Sequence, residues 1–252
     1  MSRYADVWTE SFRVHSYEVG PHGHASIQTL CNYFQEAAGN HAEALGVSRD
    51  AMLTRGTAWV LMRLRMQVDH YPAWKDTVQL ETWPSGIDGL FATREFVLRD
   101  AEGTALGCGT SAWAVIDVAR RRPTRVPDDL YAIEPPDRAR PLAFASRRVP
   151  ALERVDHARR FDVRFSDLDL NEHVNNVRYV EWAIEALPEA TLTAQYPVEV
   201  DIAFRAETTF GARIVTEAQQ IPEAEETVFL HAVRHAADGR LAAQARTRWR
   251  EP

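Results

Sequence analysis

The sequence predicts an α+β protein made of two copies of one unit, each an antiparallel sheet wrapped around one long helix. Three observations lead to this prediction: an internal repeat, an amphipathic helix pattern early in each copy, and alternating strand patterns with turn signals after each helix. With 252 residues, of which 45% are apolar, the chain is long enough to build two hydrophobic cores.

The internal repeat runs in two ungapped registers. At an offset of 149 residues, the matched pairs are Phe12 with Phe161, Val14 with Val163, His24 with His173 and Glu36 with Glu185. At an offset of 136 residues, they are Trp74 with Phe210, Val78 with Ile214, Gly103 with Gly239 and Trp113 with Trp249. Residues 133–160 are rich in Pro and Arg and weakly periodic, which is typical of a linker. We therefore predict a first repeat at residues 1–132, a linker at 133–160 and a second repeat at 161–252.

Each repeat begins with a short strand that leads into a helix. In the first repeat, apolar residues recur at helical spacing from Ile27 to Leu45, and Gly46 follows as a C-terminal cap. In the second, apolar residues share one face from Val177 to Leu187, and Pro188 cannot extend the helix. Each helix therefore has one face to bury, and a sheet is the expected partner.

Strand patterns follow each helix. Apolar and polar residues alternate from Met62 to Val68 and from Val198 to Phe204, as in strands with one buried face. Glu102-Gly103 and Asp238-Gly239 are matching turn signals, typical of antiparallel hairpins. One long helix followed by an antiparallel meander, occurring twice, is a tandem (double) hot-dog arrangement.

Composition excludes several classes of protein. The net charge of -7 argues against nucleic acid as the main partner. No apolar run is long enough to cross a bilayer, and the polar start MSRYADVWTESF lacks the apolar stretch of a secretory signal, so we expect a cytoplasmic protein without membrane insertion. Cys31 and Cys108 lie in apolar surroundings without metal-type spacing, which favours buried thiols in a reducing compartment.

Three stretches resemble one family. The run SDLDLNEHVNNVRYVEW, from Ser166 to Trp182, resembles the active-site segment of acyl-acyl carrier protein thioesterases. The stretches HYPAWKDTVQLETWPSG and REFVLRDAEGTALGCGTSAWAVIDVARRRPTRVPDDL resemble that family's first-repeat strands. The resemblance extends from about residue 8 to 250. It implies a double hot-dog fold, no metal or organic cofactor, and hydrolysis of fatty acyl thioesters carried on the phosphopantetheine arm of acyl carrier protein, a step of fatty acid biosynthesis.

The resemblance also implies the catalytic residues. By position, the family's catalytic Asp, Asn and His fall on Asp169, Asn171 and His173, and its later glutamate falls on Glu207. Members of the family often carry a cysteine directly after that glutamate, but here the residue is Thr208. A thiolate nucleophile is therefore absent at that place, which favours attack by water.

The same residue types suit the chemistry. Alternate residues of an extended segment point to one side, so Asp169, Asn171 and His173 are expected to converge just before a helix start. Amides of the helix start and the Asn171 side chain would stabilise an oxyanion, and either Glu207 or His173 would be the general base. Alternatively, Asp169 and Asn171 are turn and cap residues, His173 is a buried core histidine and Glu207 is a solvated charge.

The first repeat lacks the acidic members of this set, because Gly20, His22, His24 and Tyr71 stand opposite them. We expect it to be non-catalytic and, for want of a third ligand beside the two histidines, to bind no metal. It would instead shape an acyl pocket, with Phe34 and Met62 as wall residues, although plain core packing explains these two equally well.

Basic clusters are candidate docking sites for the acidic carrier protein. They comprise Arg120, Arg121, Arg122 and Arg125, and in the linker Arg138, Arg140, Arg147 and Arg148. A solvated arginine-rich surface is the alternative.

Two other functions stay open: an acyl-CoA thioesterase of the same fold, and a non-catalytic acyl-binding protein. A fused pair already mimics a hot-dog dimer, so both a monomer and a homodimer satisfy the architecture.

Overall fold

The computed structural model describes residues 3–222 and 226–251. The chain divides into two compact units, Met1–Ala143 (unit 1) and Phe144–Pro252 (unit 2). The division falls inside the segment predicted as a linker, and the boundaries of that linker stay a prediction. No helix within the described residues is long and apolar enough to cross a membrane.

Unit 1 contains one antiparallel sheet and one long helix. Its elements are β1 (Arg3–Tyr4), β2 (Trp8–Arg13), α1 (Ile27–Ala44), α2 (Arg49–Leu53), β3 (Thr57–Val68), β4 (Thr77–Asp88), β5 (Phe91–Arg99), β6 (Ala105–Asp117), β7 (Arg122–Pro123), a 3-10 turn at Asp128–Leu130, and β8 (Ile133–Glu134). The sheet order is β2-β4-β5-β6-β3, with β7 added to the end of β6. The short strands β1 and β8 pair in parallel with each other.

Helix α1 confirms the predicted helix of the first repeat. The hydroxyl of Ser26 accepts a hydrogen bond from the amide of Thr29 and caps the N-terminus. Past the C-terminus, Gly46 has a φ of 70°, a left-handed conformation that glycine adopts without a steric penalty. The buried face of α1 packs on the sheet, where the Phe34 and Phe96 rings stack at 4.4 Å between centroids.

Unit 2 repeats this plan. Its elements are β9 (His157–Asp162), a 3-10 turn at Phe165–Asp167, α3 (Asn176–Glu185), α4 (Glu189–Ala194), β10 (Tyr196–Phe204), β11 (Arg213–Pro222), β12 (Thr227–His235) and β13 (Leu241–Arg250). The strand order is β10-β13-β12-β11-β9, and every pair is antiparallel. The predicted hairpins at Glu102-Gly103 and Asp238-Gly239 are confirmed, because they join β5 to β6 and β12 to β13.

Strand pairing shows the internal repeat at the level of the backbone, with one departure from the predicted register. Phe12 pairs with Val78, and their predicted counterparts Phe161 and Ile214 also pair. In the next strands, however, Val97 pairs with Cys108 and Ala232 with Gln244, so β5 and β12 match at an offset of 135. The hairpin of unit 2 is one residue longer, and the second ungapped register is wrong in this strand.

Candidate active site

Residues 168–174 form a tight turn just before α3. The amide of Asp169 donates to the carbonyl of His173 at 2.7 Å, and the amide of Glu172 donates to the carbonyl of Asp169 at 3.0 Å. Glu172 has a φ of 60°, which is costly for a residue with a side chain. The predicted extended segment is therefore wrong here. What gathers Asp169, Asn171 and His173 is a turn and not the alternation of a strand.

The carboxylate of Asp169 lies within this turn. One of its oxygens accepts the amide of Asn171 at 2.8 Å and the amide of His173 at 3.4 Å. These contacts fix the backbone of both residues. They are the contacts of an ordinary turn aspartate, and a catalytic role of Asp169 stays a prediction.

His173 and Glu207 meet at the surface of unit 2. The Nε2 atom of His173 lies 3.4 Å from Oε2 of Glu207, and their side chains are 36% and 42% exposed. An antiparallel bridge joins His173 to Thr209, and the amide of Val174 donates to the carbonyl of Thr208 at 2.9 Å. The backbone therefore holds an imidazole and a carboxylate side by side at a partly exposed place.

The start of α3 offers fewer free amides than predicted. Asn175 is the N-cap, and its side-chain oxygen accepts the amide of Val177 at 3.0 Å. The amide of Arg178 donates to the carbonyl of Asn175. Two amides of the first turn are thus used by the cap, which leaves the exposed side chain of Asn171 as the better candidate oxyanion donor.

The sequence analysis missed one carboxylate, Asp167. It is buried and accepts hydrogen bonds from the amide and the guanidinium of Arg164, while Nε of Arg178 lies 3.6 Å away. Burial opposes its charge, but the hydrogen bonds and both arginines keep the pKa of Asp167 below its ordinary value. Its carbonyl also accepts the amide of Asn175. The repeat held the signal, because Glu18 stands opposite Asp167.

Unit 1 has the same backbone frame without the acids. The amide of Gly20 donates to the carbonyl of His24, the amide of Ala25 donates to the carbonyl of Pro72, and His24 bridges Ala73. Gly23, opposite Glu172, has a φ of 78°. Within the described residues, no group of three or more His, Cys, Asp or Glu side chains could hold a metal ion.

Phe34 and Met62, the predicted pocket residues, occupy different environments. Phe34 is buried in the core of unit 1 against Phe96. Met62 is partly buried and lies at an irregularity of β3, where the register with β6 shifts between Leu61 and Arg63. A role of either residue in acyl binding stays a prediction.

The predicted docking arginines also divide into two groups. Those at 120–125 are exposed, and two of them have acidic neighbours: Arg120 lies 4.0 Å from Asp117 and Arg125 lies 3.0 Å from Asp128. Within the predicted linker, Arg138 binds Glu81 of β4 at 2.6 Å and Arg140 lies 3.5 Å from buried Glu95 of β5, so both are engaged inside unit 1. Exposed ion pairs are weak enough to exchange partners, whereas a buried carboxylate is not easily abandoned.

Comparisons with known proteins agree over most of the chain. The family model of the acyl-ACP thioesterase N-terminal domain matches residues 5–133, and that of the C-terminal domain matches residues 151–251. Oleoyl-acyl carrier protein thioesterase 2 of Arabidopsis thaliana is 32% identical over 97% of this chain and 77% of its own. The corresponding Coriandrum sativum enzyme is 29% identical over the same shares. The 12:0-ACP thioesterase of Umbellularia californica superposes with a TM-score of 0.88 and 28% identity, over 98% of this chain and 94% of its own. The predicted α+β double hot-dog class is thereby confirmed.

Proposed function

The chain belongs to the acyl-ACP thioesterase family, and we propose that it hydrolyses fatty acyl-acyl carrier protein to free fatty acid and holo-carrier protein at the Glu207–His173 pair. The observation that carries this proposal is the 3.4 Å approach of Glu207, in the connection between β10 and β11, to His173, which lies on the turn that contains Asp169. The family and its thioester hydrolase chemistry rest on the match along the chain. The assignment of individual residues is our proposal.

In the proposed mechanism, water attacks the thioester carbonyl carbon. Glu207 or His173 accepts the proton of the water, and the carbonyl oxygen becomes an oxyanion near the Asn171 side chain. The carbon–sulfur bond then breaks and the pantetheine thiolate leaves, taking a proton from the residue that had accepted one. Glu207 and His173 are close enough to pass this proton between them. The proton of the water therefore reaches the leaving thiolate whichever of the two residues accepts it first.

Covalent catalysis by the residue after Glu207 is disfavoured by its position. Thr208 is only 1% exposed, and its hydroxyl lies 3.4 Å from Nε2 of His235. A buried hydroxyl facing away from solvent cannot reach the carbonyl carbon of a substrate that enters beside Glu207. The geometry supports water as the nucleophile.

The finer properties are also proposals. We expect acyl carrier protein to dock with its acidic surface on the exposed arginines Arg120, Arg121, Arg122 and Arg125. We further expect a cytoplasmic monomer or homodimer that acts in fatty acid biosynthesis.

Steady-state hydrolysis tests the proposed site. The parent protein, Glu207→Gln and Glu185→Gln would be assayed with matched acyl-acyl carrier protein and acyl-CoA series of increasing chain length. Glu185 is a matched control because its side chain is 44% exposed and paired with Arg159 at 3.0 Å, much like Glu207 with His173. We expect Glu207→Gln to lower kcat by about 100-fold or more and Glu185→Gln to change it less than about twofold.

Three results would contradict the proposal in different ways. A parent protein that prefers acyl-CoA would identify the other thioesterase. A parent protein that hydrolyses nothing would indicate a non-catalytic acyl binder. Equal activity of the two glutamine variants would remove Glu207 from the mechanism.

A further inference from the structure

A polar cluster of two buried residues and one partly buried histidine lies next to Glu207 and has no part in the proposed chemistry. It consists of Tyr179, Thr208 and His235 and is called the Thr208 cluster below. The hydroxyl of Thr208 lies 3.4 Å from Nε2 of His235, and the phenol of Tyr179 lies within reach of the hydroxyl and the backbone of Thr208. Tyr179 and Thr208 are almost fully buried, at 3% and 1% exposure.

The cluster is uncharged at neutral pH. Burial lowers the pKa of His235, and the nearby Arg240 adds to this effect more than Asp238 opposes it. Burial also raises the pKa of Tyr179, so its phenol keeps the proton. Neutral groups buried together must satisfy one another by hydrogen bonds, because each one left without a partner costs about 1–3 kcal/mol.

These three residues come from three parts of unit 2. Tyr179 lies in α3, His235 ends β12, and Thr208 lies in the connection between β10 and β11 that carries Glu207. The backbone of this connection is already tied to the catalytic turn through Val174. The side chain of Thr208 therefore fixes the connection from the interior, while the neighbouring side chain of Glu207 points outward toward His173.

Unit 1 shows that the fold does not require such a cluster. It has the same backbone contact, from the amide of Ala25 to the carbonyl of Pro72. At the positions of Tyr179 and Thr208, however, it has Leu30 and Pro72, neither of which offers a side-chain hydrogen bond. By strand pairing, Asp100 takes the place of His235, and its carboxylate accepts amides of its own hairpin. The cluster therefore occurs together with the catalytic residues and not with the frame.

We propose that Thr208, held by Tyr179 and His235, is a positioning residue that sets Glu207 within reach of His173 and of the attacking water. This inference rests on the proposed function of the Glu207–His173 pair. Small displacements of a catalytic group lower the rate steeply, while substrate binding elsewhere is unaffected. Loss of the hydroxyl should therefore lower kcat and leave KM unchanged.

The test compares Thr208→Val, which removes the hydroxyl at nearly constant volume, with Thr208→Ser, which keeps it. Thr247→Val is the matched control, because Thr247 is a buried threonine of β13 whose hydroxyl lies 2.8 Å from Nε2 of His231. We expect Thr208→Val to lower kcat by about 10-fold with KM within about twofold, and Thr208→Ser to recover most of the loss. We expect Thr247→Val to lower the melting temperature but to keep the kcat of the folded protein.

A second readout does not depend on activity. The imidazole resonances of His173 would be followed by NMR in the parent protein, Glu207→Gln and Thr208→Val. If the hydroxyl holds Glu207 against His173, the resonances in Thr208→Val move toward those in Glu207→Gln. This readout separates the two proposals, because an inactive parent protein would end the proposed function while the positioning effect could still be observed.

Several outcomes would overturn the inference. One is a folded Thr208→Val with parental kcat, and another is a raised KM at parental kcat, which would mean a binding role. Unmoved His173 resonances in Thr208→Val would exclude positioning directly. A trapped acyl-enzyme in the parent protein that is absent from Thr208→Val would make Thr208 the nucleophile instead.

Discussion

Lowering the pH from 7 to 5 should destabilise unit 2 through His231. This residue of β12 is fully buried, with 0% exposure, and its Nε2 lies 2.8 Å from the hydroxyl of Thr247. Burial lowers its pKa from 6.5 to about 3, so the imidazole stays neutral in the folded protein at pH 5. In the unfolded chain, the same histidine takes up a proton as the pH falls below 6.5.

The sign and size of the effect follow from this difference. The folded-state pKa is depressed, and the unfolded state binds the extra proton, so stability is full above pH 6.5 and decreases as the pH falls toward about 3. At pH 5, the pH lies about 1.5 units below the pKa of the histidine in the unfolded chain. At about 1.4 kcal/mol for each unit, protonation stabilises the unfolded state by about 2 kcal/mol. At pH 7 the contribution is close to zero.

Urea unfolding at pH 7 and pH 5, for the parent protein and His231→Gln, measures this contribution. Glutamine cannot titrate but can still hydrogen-bond to Thr247. The difference in the free energy of unfolding between the two proteins cancels the contributions of groups that titrate in both. This difference should change by about 2 kcal/mol between pH 7 and pH 5. Parallel losses of stability in both proteins would refute the reasoning, because they would mean that His231 is protonated in the folded state or never buried.

Three further predictions concern packing, strain and an ion pair. In Gly109→Ala the new Cβ would lie 2.5 Å from Cε2 of Phe34, so urea unfolding should show a loss of about 1–3 kcal/mol. Glu172→Gly relieves the strain of a left-handed backbone and should raise the melting temperature slightly. Gly23→Ala, at the equivalent turn, should lower the free energy of unfolding by about 1 kcal/mol. Asp167→Asn should destabilise by about 2–4 kcal/mol at pH 7. Because the pKa of Asp167 is depressed, that difference should shrink in unfolding experiments as the pH falls below 3.8.

The sequence contained enough information for the elements and their order. Helical spacing from Ile27 to Leu45 predicted α1 to within a residue of its end, because a buried face imposes a 3.6-residue period that loops do not show. Alternation predicted the strands β3 and β10. The expected single buried face is wrong for β10, because both of its faces are buried from Val198 to Phe204, including the carboxylates of Glu199 and Asp201. The repeat predicted two similar units, because matched residues occupy matched places in the strand pairing.

The turn at residues 168–174 could not be predicted from alternation. Asp169, Asn171 and His173 are spaced as in a strand, but a period of two over so short a segment also fits a turn closed by an aspartate. The deciding signal was Gly23, which stands opposite Glu172 and indicates a left-handed backbone at that place. The one-residue insertion in the hairpin of unit 2 was hidden for a related reason, since hairpin length affects pairing but not the apolar pattern on either side.

The two units separate what the fold requires from what the chemistry requires. Both keep the turn, the bridge to the following segment and the backbone bond before the helix, so these features belong to the frame. Only unit 2 has Asp169 and Glu207, and only unit 2 keeps a left-handed glutamate where unit 1 has Gly23. Strain of this kind persists where surrounding contacts over-determine the backbone, and the carboxylate of Asp169 supplies such contacts. We therefore expect the rigidity of the proposed site to come from side chains that unit 2 has on a turn present in both units, and removal of these side chains should lower activity before it lowers stability.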